Sequence, residues 1–214
     1  MSPAIAAQKT VASELFSSPG LTSAIDTIVD EVRAASAKIT GVRGPIEGRA
    51  EGYEAFMKKI GEIRGRPLFY PYVGSGAGNG IYVELDDGSV KIDMIGGIGY
   101  TPFGHAHPEL VRAAVVGSIE DSLKNGNLQS TRAAFDFGET LLKYAGRQSK
   151  LEHVFLSAGG ALANENAIKI CYQKHAPASR VIAFKHCFMG RTVTMSQIGD
   201  SAGNRQGIPL STHV

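Results

Sequence analysis

Cysteine is nearly absent from this 214-residue chain: only Cys171 and Cys187 occur, with no C-x-x-C pair and no His/Cys spacing that suits zinc. That usage fits a reducing, cytoplasmic setting. An excess of one charge is also missing. Lys+Arg 22 against Asp+Glu 20 leaves a net charge of +2, which makes no case for nucleic acid or an acidic membrane surface as a partner. No apolar run approaches the roughly 20 residues that a membrane helix needs. Residues 1–10 lack the basic and apolar regions of a signal peptide, and there is no internal repeat or low-complexity tract. The remaining composition, 43% hydrophobic and 20% charged, is that of a globular protein able to bury a core as one large domain or two small ones.

In chain order, residues 1–20 are Ala/Ser-rich, close on Pro19-Gly20 and read as an arm. The span Leu21 to Ile39 predicts an amphipathic helix, with Ile25, Ile28, Val29, Val32 and Ile39 on one face and Ser23 with Asp26 as its cap signal. After a Gly/Pro break at 41–48, Arg49 to Ile63 predicts a second helix with Tyr53, Phe56, Met57 and Ile60 in register. The glycine cluster 74–80 fits neither G-x-G-x-x-G nor the P-loop pattern and reads as a flexible turn. Residues 81–95 alternate apolar and polar around Asp86-Asp87-Gly88, a hairpin signal. Gly96-Gly97-Ile98-Gly99-Tyr100 is too glycine-rich for a strand centre. Pro108 stands near the first position of a helix reaching about Ser118. His105 and His107 are assigned to capping that helix start, because no third ligand at a suitable spacing completes a metal site. Asn125-Gly126-Asn127 reads as a turn, and Thr131 to Ala145 as a helix with Ala134, Phe137, Leu141 and Ala145 inward.

The most informative stretch runs from His153 to Lys169. A short apolar run of strand length, residues 153–156, leads through Ser157-Ala158-Gly159-Gly160 into a helix from Ala161 to Cys171. Glycine at such a turn lets backbone approach a ligand closely, and the free amides of the helix's first turn attract an anion. Two readings stand at this point: a phosphate cradle, or an ordinary strand-to-helix turn whose glycines permit tight packing. Beyond it, Arg180 to Phe184 reads as a strand rich in β-branched residues and Thr192 to Ile198 as another. Strand–helix–strand order after residue 150 implies a parallel βαβ unit covered on both faces, hence an α/β fold.

Phe155-Leu156-Ser157-Ala158-Gly159-Gly160-Ala161-Leu162-Ala163-Asn164-Glu165-Asn166-Ala167-Ile168-Lys169 resembles the F-x-N-S-G-[TA]-E-A-N-E-A-A-[IL]-K signature of class III aminotransferases, the ornithine, acetylornithine and ω-amino acid type. Two more stretches agree in order. Asp87-Gly88-Ser89-Val90-Lys91-Ile92-Asp93, continuing to Gly104-His105-Ala106-His107-Pro108, is similar to the family's D-G-x-x-Y-x-D … G-H-x-H-P segment. Residues 182–192 resemble I-x-F-x-x-[AS]-F-H-G-R-T. Three ordered motifs are far more specific than one glycine-rich loop.

The resemblance implies the fold of type I transferases that use pyridoxal 5′-phosphate (PLP). Residues 1–104 then correspond to an N-terminal arm, helices and a hairpin of the small domain, and 105–214 to the first part of the large cofactor domain with its mixed sheet. It places Gly159, Gly160, Ala161 and Glu165 at the cofactor, with backbone amides on the phosphate, and Phe188 stacking on the ring. It covers only the family's N-terminal half. The Asp on the pyridine nitrogen and the Schiff-base lysine are not found here; Lys185 reads as a loop residue and Lys169 as solvated. The implied activity is transfer of an amino group from an amino acid or ω-amino donor to a 2-oxo acid, as a homo-oligomer or together with a C-terminal half. Three departures stand out: Gly159 for the usual Ser, Leu162 for Glu and Met189 for His. They motivate the alternative of a truncated, non-catalytic relative kept for binding or assembly. A third reading keeps the cofactor but makes the chain part of an aminomutase or decarboxylase-like enzyme.

Overall fold

The computed structural model describes residues 9–120 and 128–208, which fall into two compact units, 1–121 and 122–214. The turn expected at 125–127 and the N-terminal residues 1–8 lie outside the described residues.

Unit 1 is built on helices α1 (Val11–Phe16), α2 (Pro19–Ser36), α3 (Ala50–Arg64), the short α4 (Gly96–Gly99) and α5 (Pro108–Ile119), with strands β1 (Gly74–Asn79), β2 (Tyr82–Leu85) and β3 (Val90–Ile92). The strands form one antiparallel sheet in the order β1-β2-β3. The expected hairpin is β2–β3, with Val83 opposite Lys91 and Gly88 in the turn at φ 78°. Ile25 and Val29 of α2 are buried with Ile39, Leu85 and Val90, and each fully buried aliphatic contributes roughly 1.5–3 kcal/mol. An Arg112–Asp26 ion pair joins α5 to α2. The Tyr53 hydroxyl accepts from the Val73 amide at 2.9 Å, tying α3 to the start of β1.

Three expectations for this unit need correction. The helix expected from Leu21 begins at Pro19, because proline at the first helical position fixes φ and lacks only a donor the helix would not use; Ser18, not Ser23, is its N-cap. Part of the arm is therefore helical, although α1 buries nothing. The cluster 74–80 is largely a strand, not a flexible turn. Its glycines permit close approach: a Cβ on Gly78 would lie 2.7 Å from the His105 Cβ. The two histidines do not cap α5 with their side chains. His107 occupies the N-cap position without a side-chain hydrogen bond, and the His105 ring pairs with Asp93.

Unit 2 carries α6 (Arg132–Ala145), a 3-10 turn at Gly146–Gln148, α7 (Gly160–Lys174), α8 (Val193–Ile198) and α9 (Ala202–Arg205). Its buried apolar side chains are Met195 and Ile198. Among its described residues there is no strand, which corrects the expected βαβ unit. Residues 153–156 and 180–184 have no strand ladder, and Ile182 and Phe184 stay 92% and 81% exposed. β-propensity expresses fit to a pleated, half-buried surface, and among the described residues no strand pairing supplies one to either segment. Residues 193–198 form a helix, not a strand, because the Thr192 hydroxyl accepts the Met195 amide and caps it. The inward face expected for α6 is also uncovered: Phe137 and Leu141 are exposed and only Gly138 is buried. Among the described residues no helix is long and apolar enough to cross a membrane.

Candidate cofactor site

The site is built on the start of α7. Its N-cap, Gly159, is extended (φ 171°, ψ 168°) and offers no side-chain cap, while its carbonyl accepts the first helical bond, from the Ala163 amide at 2.9 Å. The amides of Gly160, Ala161 and Leu162 are thus left without intrahelical partners. A Cβ placed on Gly159 or Gly160 would meet nothing within 4 Å. The turn is therefore open, and with fifteen residues of helix behind it the aligned backbone favours an anion there.

A second segment, 188–192, is fastened to this helix start. The Asn164 side-chain amide donates to the Met189 carbonyl at 2.8 Å. The Thr192 hydroxyl donates to the Glu165 carboxylate, and the same oxygen accepts the Met195 amide at 3.3 Å. Between them Gly190 is buried at φ 132°, where a Cβ would stand 2.5 Å from the Ala161 Cβ. These contacts hold the preceding residue, Phe188, on a fixed segment with its side chain 65% exposed.

Gly159, Gly160 and Ala161 thus lie together on the open turn, and the Phe188 segment is tied to their helix. Glu165 faces Thr192 across the same junction. Lys185 and Lys169 are both exposed, as expected. Among the described residues there is no His/Cys/Asp/Glu group able to hold a metal ion. Sequence reasoning missed Asn164, Gly190 and Thr192 as the residues that fix this geometry. The signals were available: a glycine before Arg-Thr, and a threonine three residues ahead of a buried methionine.

The residues present fit the phosphate end of PLP, since a dianion needs open, convergent amides and the turn has them. An exposed aromatic on the adjoining segment suits a planar ring.

The family described as "Aminotransferase class-III" matches residues 70–213. Acetylornithine aminotransferase of Mycobacterium leprae is 30% identical over 64% of this chain and 33% of its own length. The enzyme of the same name from Bacillus anthracis is 33% identical over 58% of this chain and 31% of its own. Among solved structures, ornithine aminotransferase from Toxoplasma gondii superposes with a TM-score of 0.62 at 22% identity, over 78% of this chain and 41% of that one. An ω-transaminase from Pseudomonas jessenii gives 0.58 at 21% identity, over 72% and 34%. The alignment spans about a third of the curated relatives' length. The fold is thus that of the PLP-dependent transaminases, fold type I, represented in part, and the chain belongs to the class III aminotransferase family.

Proposed function

We propose that this chain contributes the phosphate- and ring-holding part of a PLP-dependent aminotransferase that moves an amino group from an amino acid or ω-amino donor to a 2-oxo acid. The observation that carries this is the open Gly159-Gly160 turn that begins α7, with the Phe188 segment fastened beside it. In this reading the Gly160 and Ala161 amides, with Gly159 keeping the turn clear, bind the phosphate. Phe188 orients the ring and excludes water from one of its faces. Glu165 holds Thr192 and through it the segment that carries Phe188. When bound, PLP supplies the electron sink that amino-group transfer requires. The lysine and the carboxylate that complete such a site come from a C-terminal segment, so the chain alone is inactive. Residues 1–104 belong to the small-domain portion and 105–214 to the large one, in a homo-oligomeric cytoplasmic enzyme.

The test is equilibrium dialysis of PLP and of inorganic phosphate against the chain and its Gly160→Asp variant, followed by an amino-transfer assay with a C-terminal segment from a class III relative added. Saturable binding that the variant weakens at least tenfold, with activity only in the mixture, is the expected result. Binding without activity in any mixture would favour the non-catalytic relative, the reading motivated by Gly159, Leu162 and Met189. No binding at all would remove the proposal.

A further inference from the structure

The segment Met94 to Gly104 runs from β3 toward α5, and its two ends meet. Asp93 donates its amide to the Ile81 carbonyl at 2.8 Å, while His105 exchanges both backbone hydrogen bonds with Gly80, at 2.8 and 3.0 Å. Between those anchors the backbone bonds to itself: Ile98 to Ile95, Thr101 to Gly96 and Gly104 to Thr101. None of these residues is buried, and Met94, Ile98 and Tyr100 are 87%, 89% and 86% exposed. Gly96, Gly97, Gly99 and Gly104 all have positive φ, and so does Ile98 at 58°, an unusual conformation for a β-branched residue. A closed-ended loop with glycine pivots and little burial belongs to the low-stability end of a fold.

One side-chain pair crosses the mouth of the loop. Asp93 Oδ2 lies 2.8 Å from His105 Nε2, and both side chains are largely buried. The other carboxylate oxygen accepts the amides of Ile95 and Gly96 at 3.0 and 2.8 Å. The same group therefore shapes the first turn of the loop and closes its mouth. We propose that Asp93–His105 is a latch, and that residues 94–104 open and close as one strap against a sheet that stays formed.

The surroundings suit that role. On the Asp93 side, Lys91 from β3 and Tyr70 and Tyr72 from the segment before β1 line the shared cleft. On the His105 side, the lining from α2, β1 and α5, including Ser36, Gly78 and Val111, carries no other charge. The ring of Phe103, inside the strap, rests 5.7 Å from that of His107 beyond it, a second contact that opening would break. A neutral imidazole donating from Nε2 holds the carboxylate as a hydrogen bond, and a protonated one adds charge.

Amide hydrogen exchange on the whole chain at neutral pH tests this without reference to the cofactor. Asp93→Ala should speed exchange at Ile95, Gly96, Ile98 and Thr101 at least tenfold, leaving Leu85 and Val90 in the sheet within twofold. His105→Leu should act on the same loop amides. His105→Gln, which keeps a donor for the carboxylate, should stay within about threefold of the unaltered chain. Equal acceleration in loop and sheet, loss of sheet protection in the variants, identical behaviour of the Leu and Gln variants, or a loop unprotected from the start would each overturn the latch.

Discussion

Gly190 shows how much one residue can carry. At its φ of 132° an added methyl would come within 2.5 Å of the Ala161 Cβ, which leaves room for hydrogen alone. Gly190→Ala should destabilise unit 2 by about 1–3 kcal/mol from backbone strain, with more from the collision, and lower PLP affinity with it; thermal unfolding and dialysis check both. Gly160→Asp should separate stability from binding. A carboxylate in the first turn favours the helix by about 0.3–1 kcal/mol, so the melting temperature should hold or rise while phosphate is repelled. Asp93 sets an acid limit for unit 1. Its carboxyl lies below the ordinary 3.8, first because the Gly96 amide donates to it and then because His105 does. A pKa depressed by folding stabilises the folded state above the ordinary value, and that contribution fades as pH falls through the lower one. The loop 94–104 should therefore loosen below pH about 4. Asp93→Asn should remove that acid step in exchange measurements.

At the scale of elements, the capping threonines offer the cleanest test. Thr131 accepts the Ala134 amide at 3.1 Å and Thr192 accepts the Met195 amide. Thr131→Ala should cost about 1 kcal/mol. Thr192→Val should cost more, since it also leaves the Glu165 carboxylate without its hydroxyl donor, and urea unfolding ranks the two. The helices α2, α3, α5 and α6 were legible because each has apolar positions at helical spacing, and α5 opens on a proline besides. The β2–β3 hairpin was legible from alternation around Asp87-Gly88. The strand β1 was not, because Gly74-Ser75-Gly76-Ala77-Gly78 has no β-propensity; pairing with β2 and the close packing of His105 decide it. Thr192 to Ile198 alternates like a strand, but its cap and the burial of Met195 and Ile198 make it a helix. The open turn at the head of α7 was legible as a motif, whereas its bracing through Asn164, Gly190 and Thr192 depends on contacts some 25 residues apart.

Seen whole, unit 2 holds two segments outside helix and strand with apolar side chains turned to water: Phe155 on one, Ile182 and Phe184 on the other. Segments of this composition form parallel strands only when flanked in a sheet and covered by helices. A C-terminal segment from a class III relative should slow exchange at the amides of 182–184 relative to the chain by itself. The bare glycine at the head of α7 has a consequence of another kind. A helix that carries no lid of its own is finished by whatever guest settles on it, so occupancy and folding of that turn rise and fall together. Millimolar phosphate, ordinarily a spectator ion, should then raise the melting point of this half of the molecule.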